Sequence, residues 1–279
     1  MRKSKFLTSV IIPTYNREMF ILEALESVAL QTTAPYEVIV VDDGSTDRTQ
    51  TLVAKHFPSV VYIRTHNQGV SIARNTGYQR SKGNIIAFLD SDDLWLPSKL
   101  EEQLAYLEEN PAIRILHCNE EWRRTGKLLP QKKYHEKKGG ELFFESLPRC
   151  VISPSAVIMR KEILIEFGQF DENLIACEDY DLWLRITSSE RVGFVEETLV
   201  IKRGGRADQL SKCVASLDRY RIRSLEKILA NVHLTPQKKL AAKREAIRKI
   251  NIYRKGALKR GKHQRVKWAD TILSRIHSS

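Results

Sequence analysis

Asn84-Ile85-Ile86-Ala87-Phe88-Leu89 runs directly into Asp90-Ser91-Asp92-Asp93, an apolar stretch followed by three carboxylates in four residues. The run is short, rich in β-formers and preceded by Gly83, so it reads as a buried strand that delivers clustered acids to the carboxyl edge of a sheet. Ligands of open α/β sheets bind at that edge. Hard oxygen donors this close together suit Mg2+ or Mn2+, and such an ion commonly holds and neutralises a diphosphate. The competing reading is an acidic turn capping a helix that starts near Pro97.

Outward from this stretch, residues 8–89 alternate strand and helix with short connections. Ser9-Val10-Ile11-Ile12, Val38-Ile39-Val40-Val41 and Val60-Val61-Tyr62-Ile63 read as strands, and residues 20–29, 46–56 and 70–81 as helices. The resulting βαβαβαβ order predicts parallel strands joined by right-handed crossovers. Pro13-Thr14-Tyr15-Asn16, Asp42-Asp43-Gly44-Ser45 and Asp90 to Asp93 then fall at three strand ends, and three polar clusters on one edge describe a site. Further on, the pattern predicts a helix over 97–109, a charged excursion or hairpin over 122–138 and a strand over 155–160. A helix over 178–187 and one or two strands over 192–203 follow. From residue 216, Leu217, Ile222, Leu225, Ile228 and Leu229 recur at helical spacing, so the tail reads as helices broken at Pro236 and near Gly256 and Gly261.

A length of 279 residues with 42% hydrophobic content supports one large α/β domain plus an appendage. No h-region of a signal peptide and no membrane-spanning run is visible, and Cys118, Cys150, Cys177 and Cys213 lack disulfide or zinc spacing, which together point to a cytoplasmic protein. The net charge of +12 is concentrated at one end: residues 219–279 hold 18 Lys+Arg against 3 Asp+Glu, and the remainder 28 against 31. Such a tail suits an anionic membrane surface or plain solvation. Nucleic acid is disfavoured, because nothing beyond charge supports it.

Single residues carry open alternatives. Asp43 reads as a ligand for a base imide or ribose hydroxyls, or as part of an ordinary turn. Tyr15 is a stacking platform or a core residue. Arg74 borders the apolar face Val70, Ala73 and Gly77 and either reaches a phosphate or sits solvated. In Glu178-Asp179-Tyr180-Asp181-Leu182-Trp183-Leu184-Arg185, Asp181 and Arg185 form an i,i+4 pair. Asp179 is either a helix cap or a general base at the floor of a cleft.

Ser9 to Arg17, Val41 to Asp47, Asn67-Gln68-Gly69-Val70 with Ala73-Arg74-Asn75, and Phe88 to Asp93 together resemble the inverting family 2 glycosyltransferases. Gly168-x-Phe170-Asp171-Glu172 and Glu178 to Arg185 resemble that family's acceptor-side motifs. Each motif alone is weak, but the ordered set over residues 9–211 is specific. The resemblance implies a GT-A fold, a Rossmann-like, mostly parallel sheet flanked by helices. Residues 1–110 would form a nucleotide-sugar-binding half and 111–215 an acceptor-side half, followed by a basic helical appendage at 216–279. It further implies a nucleotide-diphospho-sugar donor, a glycan or lipid-linked acceptor and Mn2+ or Mg2+. By carry-over, Tyr15 and Asp43 hold the nucleobase, Pro13 also lies on the donor side, Arg74 and Asp90 flank ribose and diphosphate, and Asp92 ligates the metal. Asp179 is the base, with Glu178 and Trp183 on the acceptor side.

The chain departs from the pattern at Gly204-Gly205-Arg206-Ala207-Asp208-Gln209-Leu210-Ser211, where Arg206 replaces the His found in many relatives. An Arg cannot ligate a metal but can pair with the donor's phosphate, which implies a weaker metal dependence. No Gln-x-x-Arg-Trp motif is present, against a processive synthase. The reading is therefore a non-processive transferase of bacterial surface or secreted glycans. Two alternatives are a catalytically silent sugar-nucleotide binder or membrane-associated scaffold, and a sugar-nucleotide pyrophosphorylase. The latter would want a glycine-rich loop, which Pro13-Thr14-Tyr15-Asn16-Arg17 is not.

Overall fold

The computed structural model describes residues 6–124, 126–130, 135–205, 214 and 216–278. Four strands, β1 (Thr8–Thr14), β2 (Glu37–Asp42), β3 (Val61–Arg64) and β4 (Ile85–Phe88), pair in parallel in the order β3-β2-β1-β4. Helices α1 (Ile21–Ala29), α2 (Thr49–His56) and α3 (Val70–Arg80) make the crossovers, as the βαβ rhythm predicts. β1 is buried along its whole length because strands flank it on both edges and helices cover both faces. Parallel pairing puts the carboxyl ends of β1, β2 and β4 on one edge, where their three polar clusters meet.

The sheet continues in mixed sense. β5 (Leu94–Trp95) and α4 (Lys99–Glu109) lead to β6 (Ile115–Arg124), which forms a hairpin with β7 (Lys127–Leu129). Next come α5 (Phe143–Ser146), β8 (Val157–Arg160), α6 (Glu162–Glu166), α7 (Glu178–Thr187) and β9 (Val192–Arg203). β8 pairs antiparallel with both β4 and β6, and β9 runs parallel to β6. The predicted strand over 155–160 starts only at Val157. Residues Pro154–Ala156 form a 3-10 turn instead, and the Ser155 hydroxyl is spent on Asp93 and on the Asp90 N–H. Residues 192–203 form one strand, bent by a bulge near Asn119 of its partner.

Three C-terminal helices, α8 (Asp218–Leu229), α9 (Pro236–Lys259) and α10 (His263–Ser278), complete the fold. Pro236 begins α9 at a position where a missing N–H costs nothing. Gly256 lies inside that helix rather than breaking it, and the break comes at Gly261, with φ +62°. These helices share an apolar core with the catalytic half: Ile222, Leu225 and Ile250 pack with Phe143, Leu147, Tyr180 and Leu184. Tyr180 and Leu184 belong to α7, so the tail buttresses the helix that carries Asp179. The buried Lys249 adds a polar link, donating to the Pro148 carbonyl at 2.9 Å. Among the described residues no helix is long and apolar enough to cross a membrane.

His117 on β6 is fully buried, with Nε2–H placed to donate to the Lys138 carbonyl at 2.9 Å and Nδ1 without a hydrogen-bond partner among the described residues. Burial, reinforced by the charge of Lys137, lowers its pKa from 6.5 to about 4. The folded value lies below the unfolded one, so the contribution of neutral His117 is complete above pH 6.5 and is lost as pH falls towards 4. Stability measured by urea unfolding is expected to fall by about 1.4 kcal/mol more per pH unit across that window in the wild type than in His117→Phe. Parallel pH curves for the two proteins would contradict this.

Candidate active site

A cleft of about 700 Å³ opens at the carboxyl edge of β1, β2 and β4 and extends to α7 and β9. Pro13, Tyr15, Asp43, Arg74, Asp90, Asp92, Glu178 and Asp179, all singled out from the sequence, line it. Tyr15 is 41% exposed at its mouth, so the core alternative is excluded and its ring is free to stack. Asp43 is buried and accepts from the N–H groups of Gln68 and Gly69, both at 2.8 Å. It thus fixes the loop that leads into α3, and each oxygen keeps a further lone pair for a ligand. The turn that aims it needs Gly44, where φ is +83° and a Cβ would stand 3.0 Å from the Asn67 nitrogen.

Arg74 occupies the centre. Only 4% exposed, it pairs with Asp90 at 2.8 Å and Glu178 at 2.6 Å and lies 5.1 Å from the Phe170 ring centroid. Each terminal nitrogen spends one N–H on these partners, so Arg74 ties the strand edge to the start of α7 while lining the cleft. Glu178 is its buried partner and lines the same cleft. Burial and then the neighbouring Asp179 carboxylate push Glu178 upward, against the pull of Arg74. For Asp90, burial raises the pKa, but Arg74 and then Lys202 outweigh it and hold the acid below its usual range.

Asp93 is buried and accepts from the Ser155 hydroxyl at 2.6 Å and from Lys202 at 2.7 Å. Burial pushes it up to about 6, with Lys202 opposing. Lys202 in turn is held protonated: burial works against its charge, and Asp93, Asp90 and Glu120 overcome that cost. Two of the three clustered acids are therefore compensated from within the protein. Asp92 is half-buried on the cleft wall, and its carbonyl accepts from Arg203 Nε at 2.6 Å. Among the described residues no group of three His, Cys, Asp or Glu is arranged to hold a metal ion.

α7 begins at Cys177, whose left-handed φ of 60° turns the chain so that the first helical turn faces the cleft. Asp179 is half-buried there, taking the Tyr180 N–H on Oδ1 at 2.7 Å and the Cys150 thiol on Oδ2 at 3.3 Å. Burial, and then the Asp179 charge, keep that thiol well above its ordinary pKa, so Cys150 stays protonated, its one S–H shared between Asp179 and the Ile152 carbonyl at 3.1 Å. Asp181 pairs with Arg185 at 3.0 Å, as its spacing predicts, and with Lys227 of α8 at 2.8 Å. Trp183 departs from expectation: it is fully buried against Phe170 in the core and does not line the cleft. Its ring faces the apolar side of α7, where burial gains more than an acceptor contact would. Arg206 and the motif residues after it lie outside the described residues.

Lys202, Glu120 and Lys137 also line the wall but were not singled out from the sequence, and Asp93 was read only as part of the acid cluster. Lys137 pairs with Glu120 at 3.0 Å. The one legible signal was Lys202-Arg203, two cations closing the apolar run Leu199-Val200-Ile201.

The family model for glycosyl transferase family 2 matches residues 9–168. The chain belongs to that family. An uncharacterised glycosyltransferase of Rickettsia felis is 36% identical over 193 residues, 68% of this chain and 32% of its own length. The chain spans about a third of that protein and of similar Rickettsia relatives. WfgD of Escherichia coli, a UDP-Glc:alpha-D-GlcNAc-diphosphoundecaprenol beta-1,3-glucosyltransferase, is 32% identical over 197 residues, 68% of this chain and 73% of WfgD. Among solved structures, S. aureus TarS 1-349 in complex with UDP-GlcNAc superposes with a TM-score of 0.70 at 23% identity, covering 88% of this chain and 72% of that one. The fold is GT-A, a mixed sheet flanked by helices as in that structure.

Arg74→Met would leave Glu178 buried without its cation and Asp90 with Lys202 alone at 3.6 Å, an expected loss of about 3–5 kcal/mol. Adding Glu178→Gln should recover part of that loss in urea unfolding. Strictly additive effects would show that the bridge is not its source.

Proposed function

We propose that the protein transfers a glycosyl group from a nucleotide-diphospho-sugar to a hydroxyl acceptor, with inversion and without processive synthesis, in assembly of a bacterial surface or secreted glycan. The observation that carries this reading is the single cleft in which the acids after β4 and Asp179 at the start of α7 both open onto the same space, tied by Arg74. One end offers a stacking ring and a carboxylate, Tyr15 and Asp43, for a nucleobase and ribose. The other offers an oriented carboxylate, Asp179, to remove the proton of an incoming hydroxyl as its oxygen attacks the anomeric carbon from the face opposite the diphosphate. A single displacement inverts the centre, and no covalent glycosyl intermediate is required.

A divalent cation, Mg2+ or Mn2+, fits this donor set in a restricted way. Such ions often take one or two carboxylates and complete their shell with water and substrate phosphate. Asp92, half-buried on the cleft wall just after β4, is the carboxylate that would hold the ion. Bound there with the donor, it would supply charge neutralisation for the leaving diphosphate. Lys202, held protonated among the acids, contributes fixed positive charge to the same region. That is in keeping with a weaker metal dependence.

Asp179→Asn is expected to keep the fold and donor binding while lowering transfer by about a hundredfold or more. Asp92→Ala should instead weaken Mn2+-dependent donor binding, measured by thermal stabilisation with nucleotide-sugars. Near-normal transfer in the first variant would return Asp179 to the role of helix cap, and unchanged Mn2+-dependent binding in the second would remove Asp92 as ligand.

The two parts of the chain then divide the work, 1–215 performing transfer and 216–279 both bracing α7 and meeting the membrane. The name of WfgD describes a lipid-linked acceptor, and a lipid-linked acceptor for this chain places it at the cytoplasmic face of an anionic membrane. Lys255, Lys259, Arg260 and Lys262 are exposed near the end of α9, beside the exposed Ile252 and Leu258. Basic residues near an anionic surface contribute about 1 kcal/mol each. Flotation with anionic vesicles at low salt is the expected outcome, with release at high salt and no flotation with neutral vesicles. Binding indifferent to lipid charge would reject this surface.

A further inference from the structure

A second cavity, about 390 Å³, lies between the segment entering α8 and the middle of α9. Leu217 and Arg221 line both it and the catalytic cleft, so the two spaces adjoin along a shared wall. Its lining divides into two kinds. Val214, Leu217, Ile252 and Tyr253 are apolar, whereas Arg221 and Arg260 present guanidinium groups. Asp218 also lines it, but its carboxylate pairs with Arg221 at 3.2 Å and lies 3.9 Å from Lys249. That pairing occupies Arg221 Nη1 and leaves the buried Nε without a hydrogen-bond partner among the described residues.

Gly256 gives this cavity a built character. A glycine inside an exposed helix costs about 1 kcal/mol relative to alanine, and α9 carries one in its C-terminal third. A Cβ at that position would stand 3.0 Å from Arg260 Nη2 and 3.5 Å from Nη1, so the absent side chain lets the guanidinium lie against the helix. Ile252 is 51% exposed, and Lys255 and Lys259 recur on the same helical face, so the rim is both apolar and basic. A cavity whose lining combines two arginines with Val214, Leu217, Ile252 and Tyr253 matches an amphiphile whose phosphate adjoins an apolar chain. A solvated packing gap would need neither the unpaired Nε nor the glycine.

We infer that this cavity is an acceptor subsite that takes the phosphate, and the first apolar carbons beyond it, of a lipid-linked glycan acceptor. The inference rests on the transferase reading and deepens it: the acceptor sugar would project past Leu217 and Arg221 towards Asp179. The shared chemistry is a phosphate, whose source is either a lipid diphosphate or free phosphate, and the cavity's apolar wall selects the lipid.

Calorimetry on the full chain with farnesyl diphosphate, farnesol and inorganic pyrophosphate tests this directly, without turnover. Farnesyl diphosphate should bind tightest of the three. Arg260→Gln and Gly256→Ala should each weaken it by about tenfold, the scale of one charged hydrogen bond, without lowering the unfolding midpoint below that of the wild type. Asp92→Asn should leave it unchanged. Unaltered affinity in both α9 variants would overturn the inference. So would equal binding of pyrophosphate, which would assign free phosphate, or loss in Asp92→Asn, which would assign the donor cleft. Intact farnesyl diphosphate binding in a protein that transfers no sugar would instead count against the transferase reading alone.

Discussion

The buried guanidinium of Arg74 joins the parts of the molecule that must act together. It leaves α3, reaches Asp90 at the end of β4 on one side and Glu178 at the start of α7 on the other, and rests near Phe170. In a low-dielectric interior the Glu178 carboxylate would not be tolerated ionised without it, and Asp90 would keep only Lys202. The strand edge and the start of α7 are thus locked at one spacing by an interaction strong in its geometry and costly to break. The neighbouring Asn75 extends the clamp, exchanging hydrogen bonds with the Phe170 backbone and reaching Glu172.

The same logic governs the acids after β4. Three carboxylates in four residues would repel one another in a partly buried site. Lys202, delivered from β9 on the opposite side of the sheet, offsets Asp90 and Asp93. The cluster is therefore less negative than its sequence suggests. On the acceptor side, the oxygens of Asp179 are oriented by the Tyr180 N–H and the Cys150 thiol, which limits the entropy lost on reaching a productive geometry. The C-terminal helices then act at a distance from the chemistry, because their core includes Tyr180 and Leu184 of α7.

Much of this could be read without coordinates. Period and punctuation located β1, β2 and β4 and the helices between them, and parallel pairing followed from their order. The three strand-end clusters carried the donor side, and the i,i+4 pair of Asp181 and Arg185 was legible as helix chemistry. Arg74 and Glu178 were recognised as site residues, but the bridge between them was not legible, since it joins positions 104 residues apart. Trp183 was misassigned for a related reason. Its motif neighbours face the cleft, and its own burial depends on Phe170 arriving from another segment.

By itself the chain's sequence determined the alternation of strand and helix, the acids at the carboxyl edge and the concentration of positive charge after residue 219. These depend on local pattern and on counting. Tertiary structure alone decided that Lys202 neutralises the acid cluster, that Arg74 bridges two carboxylates, and that the basic tail packs behind α7 instead of standing off in solvent. Each of these is a contact between segments far apart in sequence, and what selects it is the cost of burying an uncompensated charge or leaving an apolar face wet.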